Sequence, residues 1–129
     1  MIKIKINNAE INAVNKLPAN VRYEYFIKKV TDYEEVWGLF NDGWATSRDE
    51  DGNLFIPFFP KKEFAEISAV KEWASYEARS ITLDDFIENW LTGMKKDGIN
   101  PSIFPLGNET VAVSIDNLLK DLETELENY

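Results

Sequence analysis

Residues 34–60 read EEVWGLFNDGWATSRDEDGNLFIPFFP. The stretch carries two of the four tryptophans and four of the eight phenylalanines. Asp42-Gly43 and Asp51-Gly52 are each a preferred centre for a two-residue type I′ hairpin turn. Taken together they predict a three-stranded meander over 35–41, 44–49 and 53–59. The resulting register sets Phe40 opposite Ala45 and Ser47 opposite Ile56. Because strand side chains alternate, this sorts the segment onto two faces. Val36, Gly38, Phe40, Ala45, Ser47, Leu54, Ile56 and Phe58 form the expected core face. Trp37, Leu39, Trp44, Thr46, Arg48, Phe55 and Phe59 form the other. Two readings of that second face stay open. A second layer of helices covers it, with Arg48 lying across Trp37 as a cation-π pair; or it stands partly open as an aromatic cleft for a peptide or planar ligand.

The flanking sequence supplies the helices. Asn8 is a candidate cap for a short helix burying Ile11 and Val14. Pro18 suits the first turn of the next, where Tyr23, Phe26, Ile27 and Val30 share one stripe. A third helix is expected over 61–74, with Phe64, Ile67 and Val70 inward. Residues 79–81 read as a short strand. Thr82 and Asp85 spell a capping box that opens a helix bearing Phe86, Trp90, Leu91 and Met94, closed by Gly98. Residues 102–104 and 110–113 form a strand pair around PLGNE, and Ser114 opens a final helix with Ile115, Leu118, Leu122 and Leu126 inward. At the other end, Ile2, Ile4 and Ile6 alternate with lysines as an edge strand does. The expected architecture is α+β: one domain over 1–129, with a small, mainly antiparallel sheet (the meander plus short C-terminal strands) packed with about five helices.

Composition excludes much chemistry. The chain has no cysteine and no histidine, so disulfides, thiolate or histidine-based catalysis and imidazole metal ligation are ruled out. The net charge of −9 disfavours phosphate backbones and anionic membranes, so neither nucleic acid nor membrane is expected as a partner. No run approaches the ~18 apolar residues of a membrane span, and MIKIKINNAE lacks an apolar signal core. A cytoplasmic location is expected. SRDEDGN invites comparison with a calcium loop, but aligning Gly52 with the loop glycine leaves Phe58 where a bidentate acid is needed. Asp84-Asp85 is explained by the capping box, and LTGMKKDG has the wrong order for a phosphate loop. No metal, cofactor or catalytic residue is assigned. Tyr76-Glu77-Ala78-Arg79, after Trp73, reads as a loop of residue types that often make contacts.

RYEYFIKKV at 22–30, EEVWGLFNDGWA at 34–45, WASYEARSITLDDFIENWL at 73–91 and DGINPSIFP at 97–105 resemble the bacterial domain-of-unknown-function family 2750. The resemblance covers nearly the whole chain and keeps the motif order. Ala78 departs from it, standing where the family's Trp-x-x-Tyr-Glu-Pro stretch has proline, which loosens the expected loop before Arg79. The resemblance implies a small bacterial protein with no established activity and transfers no catalytic residues. A fainter likeness in element order is to the enhanced-serine-sensitivity type of domain, at the level of architecture alone.

The favoured expectation is a non-catalytic protein-binding or regulatory (immunity-like) module, with another protein as partner. Its expected contacts are Trp37, Trp44, Arg48 and Phe55, with Tyr76 and Arg79 beside them, because aromatics and arginine dominate interface energies. The alternative is a small-ligand protein or enzyme using carboxylates such as Glu77 or Asp42 near the aromatic cleft. A third possibility is assembly along Ile2–Ile6, so monomer and homodimer both remain open.

Overall fold

Both Asp-Gly pairs turn the chain, but each turn closes one residue away from the two-residue geometry. In the computed structural model, which describes residues 7–106 and 109–128, Phe40 pairs with Trp44 and not with Ala45. The Ala45 amide donates to the Leu39 carbonyl at 2.8 Å, and Asp42 takes a left-handed φ of 54°. Ser47 pairs with Phe55 and Arg48 with Leu54. The reason at the second turn is Asp49. Its carboxylate accepts from the amides of Asp51 and Asn53 at 3.0 and 2.8 Å and from the Asn53 side chain at 2.9 Å. This aspartate turn replaces the compact type I′ turn, and Gly52 supplies the positive φ of 84° that it needs.

The strands therefore do not form a simple meander. β1 (Glu35–Phe40) pairs antiparallel with β4 (Glu77–Thr82), placing Val36 opposite Ile81 and Gly38 opposite Arg79. β2 (Ser47–Arg48), β3 (Leu54–Phe58), β5 (Asn100–Leu106) and β6 (Glu109–Ala112) form a second sheet in the order β2-β3-β5-β6. β3 and β5 run parallel, while the other pairs are antiparallel. Trp37 and Phe59 exchange backbone hydrogen bonds of 2.9 and 2.7 Å and join the two sheets. Residues 76–79, expected as a loop, mostly lie in β4. Ala78 faces Leu39 on that edge strand, where a sheet tolerates proline as well. The strand expected at Ile2–Ile6 lies outside the described residues.

Among the described residues, five helices accompany the sheets. α1 is Asn8–Asn15, capped by the Asn7 side chain, and α2 is Ala19–Tyr33. α3 spans only Lys62–Ser68 and is followed by a 3₁₀ turn at Lys71–Trp73. The long helix expected over 61–74 thus breaks in the middle, where Ile67, Ser68 and Val70 are poor helix formers. α4 covers 83–97 with a π-helical turn at Phe86–Trp90. Thr82 accepts from the Asp85 amide at 3.2 Å, and the Asp85 carboxylate takes Asn89 at 2.7 Å, so only half the capping box forms. α5 is Ile115–Leu126, capped by Ser114. None of the described helices is long and apolar enough to cross a membrane.

Strand alternation distributes the core over two faces. On one, Phe59 meets Phe104, which packs with Phe64 of α3 and Tyr25 of α2. On the other, Phe58 meets Phe86 and Trp90 of α4 at 4.8 and 6.0 Å between centroids. Phe58, Phe59 and Phe86 are fully buried, each contributing roughly 1.5–3 kcal/mol. Arg22 is buried in α2. Its guanidinium donates to the Leu17 carbonyl at 2.8 Å and the Phe104 carbonyl at 3.4 Å, tying the entry of α2 to β5. Tyr23 and Tyr25 donate to Asp121 and Glu10, each at 2.5 Å, fastening α5 and α1 to α2. Burial, then these bonds to carboxylates, push both phenols well above the usual tyrosine range.

These contacts have two testable outcomes. Arg22→Ala empties a buried site and orphans two carbonyls, and should cost about 3 kcal/mol in urea unfolding. The raised phenols stabilise the fold fully below the unfolded tyrosine pKa of about 10 and lose that contribution as pH rises beyond it. An ultraviolet phenolate titration should find Tyr23 and Tyr25 un-ionised at about pH 11, and replacing both with phenylalanine should flatten the alkaline fall in stability.

Candidate binding groove

α3 packs on β1 and β4 and ends at Ser68, so that on the face carrying Phe55, Pro57 and Phe59 the Phe55 end is only half-buried. Beside that end lies a groove of about 910 Å³. Its floor is Ser47, Phe55 and Ser102. They share a face because Ser47 pairs with Phe55, and Ser102 with Pro57, two residues along β3. One wall is the end of α3 and the 3₁₀ turn, with Ile67, Val70 and Trp73, and the other is Pro105 and Leu106. Among the described residues only three large hydrophobics are exposed, and two of them, Ile67 at 42% and Val70 at 55%, stand here.

Backbone strain marks the same place. Lys71, on the groove wall, has φ 55°, and Phe104, just before Pro105, has φ 48°. Left-handed conformations at such residues cost roughly 1–3 kcal/mol each and persist where surrounding packing enforces them. Phe104 sits where the β5–β6 register shifts, between Ile103 and Leu106. The rim carries Arg48, Asp49, Glu50, Lys71 and Glu72. Arg48 donates to the Gly52 carbonyl at 3.0 Å. The Asn53 side chain, with the Asn53, Asp51 and Gly52 amides, holds the Asp49 carboxyl below the usual carboxylate range. Those bonds occupy the Asp49 carboxylate, and among the described residues no group of three or more acidic side chains is placed to hold a metal ion.

The six expected contact residues do not form one site. Arg48 and Phe55 reach the groove. Trp37 lies on the same sheet face but beside Phe59, its indole N–H enclosed without an acceptor among the described residues. Tyr76 is half-buried where the chain leaves the 3₁₀ turn, its amide on the Trp73 carbonyl at 3.0 Å. Trp44 and Arg79 lie on the opposite face. The Arg79 guanidinium sits 3.7 Å from the Phe40 ring centroid. Phe40 meets Trp44 edge-on at 5.2 Å, and Trp44 meets Trp90 at 4.8 Å. On this face the cation-π contact is Arg79 on Phe40, while Arg48 reaches the Gly52 carbonyl and not Trp37; the one-residue slip at Asp42-Gly43 moves Trp44 across the sheet to Phe40. Asp42 and Glu77 are exposed and outside the groove, so neither stands in an aromatic cleft. Glu77 pairs with Arg79 at 3.5 Å in the open, a contact worth little. Ile67, Val70, Pro105 and Leu106 are the residues that sequence reasoning missed, because a continuous helix over 61–74 turns Ile67 and Val70 inward.

A split sheet with helices on both faces and an apolar groove beyond one short helix describes an α+β protein. Residues 23–122, from within α2 to within α5, match the model of the family described as "Protein of unknown function (DUF2750)", and the chain belongs to that family. No curated protein matches it. The whole groove lies inside the matched residues.

Gly38 gives a test of the opposite face. A Cβ there would stand 2.9 Å from Cζ3 of Trp44. Gly38→Ala should cost about 1–3 kcal/mol in urea unfolding and shift tryptophan fluorescence by displacing Trp44.

Proposed function

We propose that this chain is a non-catalytic protein-binding module of regulatory or immunity-like type, and that the groove beyond α3 is its contact surface. The observation that carries this reading is the exposure of Ile67 and Val70 beside Phe55 and Trp73 in one concave surface. Clustered exposed apolar side chains rimmed by charge mark interaction sites, whereas scattered ones do not. Small-molecule sites bury most of their ligand. This groove opens along the end of the sheet, which suits a polypeptide. The absence of histidine and cysteine from the sequence leaves binding as the simpler role for such a surface.

Val70→Asp tests it. The side chain is already exposed, so the melting temperature should change by only a few degrees. Native mass spectrometry of the tagged wild-type chain, recovered at low salt from its own cells, should show a stoichiometric protein partner. Val70→Asp should weaken that complex at least about tenfold, the loss of one interface anchor. A partner held equally by Val70→Asp and Phe55→Ala, or a bare chain from every extract, would overturn the assignment.

A further inference from the structure

We propose that the groove selects a basic, apolar segment of its partner: an aliphatic or aromatic side chain seated against Phe55 and Val70, flanked by lysine or arginine. This rests on the reading of the groove as a protein contact and adds the chemistry of what enters it. The rim holds three carboxylates, Asp49, Glu50 and Glu72, against two cations, Arg48 and Lys71. Arg48, bonded to the Gly52 carbonyl at 3.0 Å, and Asp49, whose oxygens hold the turn, both keep their charges, so the rim is acidic by one charge, three against two. Glu50 stands on the β2–β3 turn and Glu72 on the facing 3₁₀ turn, so each side of the groove presents a carboxylate. Both are exposed, and among the described residues neither is paired with a cation. The net charge of −9 adds a field of the same sign, which draws in cationic segments and turns away acidic ones and nucleic acid. Rim charges of this kind act mainly on approach and on discrimination, while the apolar anchor supplies the affinity. Both parts are present here, within one groove.

The test is selection from a random peptide display library on the intact immobilised chain, followed by fluorescence anisotropy with the enriched peptides as synthetic probes. Enriched sequences should combine an aliphatic or aromatic residue with at least two lysines or arginines. Reversing those charges to glutamate should weaken binding about tenfold or more. Raising salt from about 0.05 to 0.3 M should weaken the basic peptides several-fold, as screening shortens the reach of the rim charges. Glu50→Gln with Glu72→Gln should cost about fivefold to tenfold without moving the melting temperature, and Val70→Asp should abolish binding. Neutral or acidic peptides that Val70→Asp still abolishes would overturn the charge selection and leave the groove as a protein contact. Peptides indifferent to Val70→Asp, or no enrichment, would overturn both.

Discussion

Two backbone hydrogen bonds between Trp37 and Phe59 hold the β1–β4 ribbon to the rest of the sheet, and the arrangement of both faces depends on them. A two-stranded ribbon alone is marginal in water. Joined at this point, it extends β3 and inherits its alternation. Trp37 and Leu39 fall on the face with Phe59, under α2 and α3. Val36, Gly38 and Phe40 fall on the face with Phe58, against α4 and Trp44. With the joint fixed, the helices have defined surfaces to cover, and the buried Arg22 locks α2 onto β5.

What the sequence disclosed was local. Helix starts at Thr82 and Ser114 and the stop at Gly98 are written in residues that bond their own neighbours, and α1 is capped by Asn7, one residue before the expected Asn8, so the existence of the described helices was legible. The sheet was not. An Asp-Gly pair announces a turn, but Asp49 captures two amides and changes its length by one residue, enough to exchange the two faces of the next strand. The partners of β1 and β3 are distant in sequence, and nothing local in LFIPF or NPSIF says that they lie parallel. The candidate site divides in the same way. Phe55 and Arg48 were legible as members of the hairpin's second face. Ile67 and Val70 were hidden by a helical period that the letters continue and the backbone abandons at Ser68.

That break is what makes the groove. A helix continued through Trp73 would place its apolar stripe over Phe55 and close the face. Stopping short leaves the end of the sheet uncovered, with Lys71 and Phe104 held in strained backbone on either side. The opposite face shows the contrasting solution: Trp44, Trp90 and Phe58 fill it ring against ring, with Arg79 closing the edge over Phe40. One face is finished by the chain's own aromatics, while the other keeps an uncovered end beside Ile67 and Val70.

The parallel pairing of β3 with β5 has a kinetic side. Its strands cannot meet until the chain between Phe58 and Asn100 has been gathered in, and β4 must return to β1 within that same excursion. Entropy lost in closing so long a segment precedes the reward of pairing. Such non-local contact slows folding relative to a purely helical domain, while the helices within the excursion form far sooner. Early docking of α3 and α4 would shorten the distance still to be closed. On this view these two helices act as splints that bring the central strands together, before they serve as the layers of the finished core.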